Sequence, residues 1–180
     1  QDDFRRLPMF SDNRNVLQFF EDRAGRVFMS TRDELYEYND SAGGFDRLLS
    51  DLDRPNTFHT RCHVDSDNRL WIFNSMQLRC YDPESRQVVD SIALQDYPLY
   101  SYLHKGRYLY LTGNFRCRIF DTRTGRFDEL PEVMRRHPLF ARADVEYIHP
   151  YDDDRLLFNT AKHGMFCYDF VRGTFIHQDE

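Results

Sequence analysis

Hydrophobic residues recur along the chain in short runs of strand length, separated by polar clusters rich in Asp, Gly and Asn. Four segments each open with an apolar strand and a polar hairpin. These are Val16 to Phe20 before Asp22-Arg23-Ala24-Gly25, Cys62 to Val64 before Asp65-Ser66-Asp67-Asn68, Tyr100 to Leu103 before Lys105-Gly106, and Val145 to Ile148 before Asp152-Asp153-Asp154. A near-continuous apolar run follows each time: Val27-Phe28-Met29, Leu70-Trp71-Ile72-Phe73, Tyr108-Leu109-Tyr110-Leu111 and Leu156-Leu157-Phe158. Such runs suit strands covered on both faces. Next comes an alternating strand ending in an aromatic, then a turn, then a short outer strand such as Phe45 to Leu48 or Phe127 to Leu130. Four strands joined by hairpins make an antiparallel meander.

The terminal aromatics of the third strands, Tyr38, Tyr81, Phe120 and Tyr168, lie 43, 39 and 48 residues apart, and each is followed seven positions on by Phe45, Val88, Phe127 or Phe175. A period near 43 is that of a four-stranded propeller blade. The fold expected is therefore all-β, a β-propeller of about four blades, with repeats near residues 12–49, 57–94, 98–130 and 143–177. One twisted sheet cannot cover both its faces, so such blades stack. The residue after each anchor (Asn39, Asp82, Asp121, Asp169) is placed to accept the turn's own N–H groups, with Gly43, Gly44, Gly125 and Gly173 supplying positive φ. Residues 131–143 break the pattern and predict a helical turn between blades. Phe4-Arg5-Arg6-Leu7 repeats the Phe-x-x-Leu of Phe45-Asp46-Arg47-Leu48, and lies 34 residues before Tyr38, against 36 from Phe45 to Tyr81. Residues 1–8 thus read as the outer strand of a preceding blade. The chain is then a fragment of a seven-bladed ring, an open arc or one half of a homodimer.

Composition narrows the function classes. Only two of the 24 basic side chains are lysine (Lys105, Lys162), and the net charge is -6. Scattered arginines on an acidic chain give no nucleic-acid footprint. No apolar run reaches membrane-spanning length. The cysteines Cys62, Cys80, Cys117 and Cys167 contain no C-x-x-C, and no nucleophile elbow, P-loop or zinc-protease motif occurs. No catalytic residue, metal site or cofactor is expected. Strand parity sets Cys80, Cys117 and Cys167 on the same side of their blades, where reduced thiols would pack between sheets. In a propeller, the loops between second and third strands share a rim with the blade-to-blade connections. Here that rim carries Arg32, Asp33, Asn74, Asn114, Arg116, Lys162 and His163, with Tyr97 and Tyr100 beside them. Forked guanidinium donors and flat aromatic faces suit a sugar or uronate ligand.

The run Glu21-Asp22-Arg23-Ala24-Gly25-Arg26-Val27-Phe28-Met29-Ser30-Thr31, continuing to Leu35-Tyr36-Glu37-Tyr38, resembles the two-component regulator propeller repeat. That repeat has the form E-D-x-x-G-x-[ILV]-W-[IV]-G-T-x-x-G-L-x-x-Y-[DN]-x-x-[ST]-G-x-F. Leu70-Trp71-Ile72 fits its W-I core, Gly164-Met165-Phe166-Cys167-Tyr168 its G-L-x-x-Y element, and Phe120-Asp121-Thr122-Arg123-Thr124-Gly125-Arg126-Phe127 its tail. The resemblance implies the periplasmic sensor region of a Bacteroidetes hybrid two-component system that detects polysaccharide breakdown products. Its partners would be an oligosaccharide or other small ligand, and the remaining blades, membrane helix and histidine kinase of a parent chain. Two other readings stay open: a protein-interaction scaffold, and a carbohydrate-active propeller enzyme whose acids converge on the axis.

Overall fold

The computed structural model describes residues 16–50, 61–73, 77–94, 98–113 and 116–178. Packing divides the chain into two compact units, Gln1–Leu94 and Gln95–Glu180. Each described unit holds two four-stranded antiparallel meanders with strands in chain order. The first unit contains β1 (Val16–Glu21), β2 (Val27–Thr31), β3 (Leu35–Asn39) and β4 (Gly44–Leu49), then β5 (Arg61–Val64), β6 (Leu70–Phe73), β7 (Gln77–Asp82) and β8 (Gln87–Ala93). The second contains β9 (Tyr100–His104), β10 (Tyr108–Gly113), β11 (Arg116–Asp121) and β12 (Arg126–Asp128), then β13 (Val145–Pro150), β14 (Arg155–Thr160), β15 (Met165–Asp169) and β16 (Thr174–Gln178). These are blades, and the chain is all-β. The expected outer strand at Phe4 to Leu7 lies outside the described residues.

The repeat logic holds in register. Tyr38, Tyr81, Phe120 and Tyr168 each stand one residue before the end of the third strand. They pair with Phe45, Val88, Phe127 and Phe175 on the fourth. In the turn that follows, Asn39 Oδ1 accepts the amides of Ser41 and Ala42, and Asp169 Oδ1 those of Val171 and Arg172. Gly43, Gly125 and Gly173 take positive φ there, as expected, and in the second blade Arg86 does so at φ 56°. Gly44 does not: it opens β4 and has no positive φ.

Blades pack face to face within each unit. In the first unit, Phe28 and Leu35 meet Cys62, Leu70, Ile72 and Tyr81 in one buried cluster. The second blade thus turns its anchor face to the first. Gln18 clasps the Cys62 backbone in both directions, at 3.0 Å each way. The β1–β2 and β5–β6 hairpins interlock beside it. Asn68 accepts the Arg23 amide and donates to Asp22, while Arg23 Nε donates to the Asp65 carbonyl. In the second unit, Tyr110 and Ile119 of the third blade bury against Leu156, Phe158, Phe166 and Tyr168 of the fourth.

The third blade departs from the expected strand limits. The sequence predicts an outer strand from Phe127 to Leu130, yet β12 ends at Asp128 and pairs only with Ile119, Phe120 and Asp121. The chain turns away because Pro131 has no N–H for a ladder and begins the short helix α1 (Glu132–Arg135). A 3-10 turn at Phe140–Arg142 completes the insertion expected at residues 131–143. Phe140 is buried within ring contact of Phe158, Phe166 and Phe175, which ties the insertion to the fourth blade.

All four thiols are free. Cys117 packs against the core of the second unit, and Cys62 enters that of the first. Cys80 and Cys167 adjoin Tyr81 and Tyr168 and so face away from the cores those anchors join. Cys80 is buried and Cys167 half-buried. Burial pushes the Cys62, Cys80 and Cys117 thiols up to about 12. At pH 8 a thiol of that pKa is ionised in about one molecule in ten thousand, and only the thiolate reacts. Iodoacetamide followed by mass mapping is therefore expected to label Cys167 first, and the other three only after urea opens the blades. Equal native labelling of all four would contradict this packing.

Candidate functional site

The β14–β15 turn, residues 161–164, is built by one threonine and one glycine. The Thr160 hydroxyl donates to the Gly164 carbonyl (2.8 Å) and accepts the His163 amide (3.0 Å). Gly164 has φ +66°, and a Cβ there would lie 3.2 Å from the Gln178 carbonyl, so both conformation and space call for glycine. His177 on β16 comes within 2.6 Å of the His163 carbonyl through Nε2. A carbonyl only accepts, so Nε2 of His177 carries the proton. The His177 ring stacks on Phe166 at 4.4 Å, and Phe166 in turn stacks on Phe175. The turn is thereby pinned to the aromatic core beneath it.

An open depression of about 590 Å³ lies over this turn. Asn159, Lys162, His163, His177 and Gln178 supply its polar lining, and Leu139 from the insertion forms an apolar wall. The volume falls within the range of small-molecule clefts, roughly 300–1,000 Å³. His137, also from the insertion, meets Phe166 and His177 edge-on. Lys162 is exposed and has no ion-pair partner among the described residues. An ammonium beside amides and imidazoles favours a ligand with an anionic group and several hydroxyls.

The other expected site residues are spread over separate places. Arg116 borders a smaller cavity of about 250 Å³ walled by Cys117, Met134, Phe140 and Val145, in the notch left by the short β12. Tyr100 pairs with Tyr147 on the neighbouring inner strand, with ring centroids 4.7 Å apart. Arg32 and Asp33 sit in the β2–β3 turn of the first unit, where Thr31 donates to Asp33 at 3.3 Å. Asn74, Tyr97 and Asn114 lie outside the described residues. The structure thus joins Lys162 and His163, and brings in His177, Asn159, Gln178 and Leu139. Sequence reasoning missed these four, although the pairing of Met165 with Gln178 follows from the repeat and sets β16 beside the turn.

No family model and no curated protein sequence matches the chain. Solved structures do share the fold. The extracellular domain of the hybrid two component system BT3049 from B. thetaiotaomicron superposes with a TM-score of 0.62 at 16% identity, over 94% of this chain and 25% of that one. The extracellular domain described as the one component system BT4673 of the same organism gives 0.69 at 15% identity, over 96% and 22%. A chain of the Mitotic Checkpoint Complex gives 0.51 at 13% identity, over 94% and 65%. At these identities the likeness is one of fold, and this chain spans about a quarter of the length of the two extracellular domains. They come from the kind of protein that the repeat motif resembles. Among the described residues no helix is long and apolar enough to cross a membrane.

Proposed function

We propose that this chain is a ligand-sensing propeller segment from the periplasmic part of a hybrid two-component sensor, and not an enzyme. It would bind acidic oligosaccharides released from polysaccharides, and signal to a kinase in the parent protein. The reading is carried by the fold shared with the extracellular domain of one such system over 94% of the chain. The repeat motif supports it from a different direction. The depression over the β14–β15 turn is the ligand site within this reading. Lys162 holds the carboxylate of a uronate, Asn159 and Gln178 bond its hydroxyls, and Leu139 covers an apolar ring face.

Calorimetry with uronate-bearing oligosaccharides tests the assignment. A charge-assisted hydrogen bond contributes about 1.5–3 kcal/mol, so Lys162→Ala is expected to weaken binding by roughly tenfold or more. Arg116→Ala and Arg32→Ala, which do not line this depression, leave affinity unchanged. Binding unaffected by Lys162→Ala removes the site. A propeller used as an assembly scaffold is the second reading, favoured by the weaker likeness to a chain of the Mitotic Checkpoint Complex. Under that reading no oligosaccharide binds, and the chain captures a protein from the parent organism instead.

A further inference from the structure

In three blades the third strand is matched along its whole length by the fourth. β3, β7 and β15 are paired down to Leu35 with Leu49, Gln77 with Ala93 and Met165 with Gln178. β11 is matched only at Ile119, Phe120 and Asp121, which leaves Arg116, Cys117 and Arg118 without a fourth-strand neighbour. Antiparallel strands turn the N–H and C=O of alternate residues to opposite sides. Thr122 donates to the Arg107 carbonyl on the β10 side, and the Asp121 carbonyl accepts from Gly125 on the β12 side. Two steps of two back from Asp121, the N–H and C=O of Cys117 therefore face the vacated strand position. Among the described residues no backbone bond joins Cys117 to residues 129–131, and the Leu130 carbonyl accepts from Arg135 Nε instead, at 2.9 Å.

The cavity of about 250 Å³ occupies that position, and its lining divides by face. Cys117 packs with Ile119 against the core shared with the fourth blade, where Met134, Phe140 and Val145 continue the apolar wall. Arg118 has the opposite parity, and its guanidinium lies over the Phe127 ring at 4.6 Å. Arg116 shares the parity of Arg118, and Arg135 of α1 completes the basic border. The lining holds three arginines and no acid. The neighbouring Glu129, which pairs with Arg135 at 3.0 Å, and Asp144 offset at most two of them. Benzene fills a cavity of about 150 Å³, so this space admits one branched or aromatic side chain with adjoining backbone.

We infer that this strand edge binds an extended peptide with an acidic, an apolar and an acidic residue in succession, which supplies the missing half of the third blade's fourth strand. The middle residue exchanges both backbone bonds with Cys117, donating its N–H to the Cys117 carbonyl and accepting the Cys117 N–H. Its side chain then shares the Cys117 face and enters the apolar cavity. The flanking side chains fall opposite Arg116 and Arg118, where carboxylates make favourable cross-strand pairs. The chain's own sequence points to the same pattern. Continued in register from the pairing of Asp128 with Ile119, β12 would set Glu129 opposite Arg118 and Leu130 opposite Cys117. Pro131 diverts the chain, and the edge keeps its complement to an acidic and an apolar residue. A free apolar acid suits the edge less well, because its charge would meet the Cys117 carbonyl as well as the N–H. The inference rests on neither reading given above.

NMR titration and calorimetry on the full chain test it, with the capped peptide acetyl-Gly-Glu-Leu-Glu-Gly-amide as probe. It is expected to bind below roughly 1 mM, and to slow hydrogen exchange at the Cys117 amide as the strand adds. Methylation of the leucine nitrogen removes the donor to the Cys117 carbonyl and is expected to weaken binding by about tenfold. The Lys-Leu-Lys counterpart is expected to bind about tenfold more weakly as well, through like charge against the arginines. Arg116→Glu, at an exposed position, is expected to erase the preference between the two peptides. Lys162→Ala leaves the peptide affinity unchanged, which separates this edge from the oligosaccharide site. No peptide bound at that concentration, equal affinity for the methylated peptide, Lys-Leu-Lys bound as well as Glu-Leu-Glu, or hexanoate bound as tightly as the peptide would each overturn the inference.

Discussion

Truncation of Phe140 to alanine is expected to destabilise the second unit by about 3–5 kcal/mol, the usual loss for removing a buried aromatic ring. Phe140 is 4% exposed and touches three rings of the fourth blade, at 5.6 Å for Phe158, 5.2 Å for Phe166 and 4.8 Å for Phe175. Met134 and Ala143 of the insertion are buried in the same core. Without the ring, the cavity can be filled only by moving residues 131–143. Leu139 borders the Lys162 depression and His137 meets its His177 edge-on, so ligand binding there is expected to weaken together with stability. Urea unfolding followed by circular dichroism measures the first effect and calorimetry the second. Leu139→Ala is the control: at 39% exposed it costs little stability and trims only the apolar wall. A Phe140→Ala midpoint close to that of the unaltered chain would show that the insertion is held by something else.

Asp65→Ala is expected to cost about 3 kcal/mol or more, because each buried donor left without an acceptor costs about 1–3 kcal/mol. The Asp65 carboxylate is 1% exposed and accepts from Trp71 Nε1 at 2.7 Å and from the Asp67 and Arg69 amides at 2.9 Å. The indole is itself 2% exposed, so water cannot replace the lost acceptor. Trp71 is the only tryptophan, and its fluorescence reports this network directly. The emission of Asp65→Ala is expected to shift to the red at much lower urea than that of the unaltered chain. Asp65→Asn, which keeps one acceptor oxygen but points an amide donor at other donors, falls between the two. An unchanged urea midpoint would mean that the hairpin does not depend on its carboxylate.

The aspartates of the hairpins were legible as turn residues but not as structural anchors. Asp22 and Asp65 stand at the same place in the first and second repeats, where an Asp before a polar cluster reads as a solvated cap. In the folded chain both are buried, and the first hairpin reaches Asn68 of the second through Asp22 and Arg23. That contact spans 46 residues and appears only when two blades lie side by side. The third and fourth repeats have no such pair: Lys105 there meets Asp154 at 3.0 Å instead, both half exposed. Sequence comparison of the hairpins alone would not distinguish a buried clasp from a surface ion pair.

The candidate sites show the same division. Lys162 and His163 could be chosen from the sequence because a polar turn between two apolar strands exposes its tip. Arg116, read in the same way, ends beside the notch left by β12, because Pro131 cuts the third blade's outer strand short.

The amino-acid order alone determined the four meanders, the place of each anchor aromatic, the turn chemistry after it and the interruption at residues 131–143. These follow from period-2 strands, hairpin residues and proline, whose effects reach only a few positions along the chain. Which thiols and aspartates are buried and which rim residues share a depression were decided by the packing of strand on strand and blade on blade. The contacts between strands and blades that decide them join residues from 14 to 46 positions apart, and neither strand period nor turn chemistry carries information over that distance.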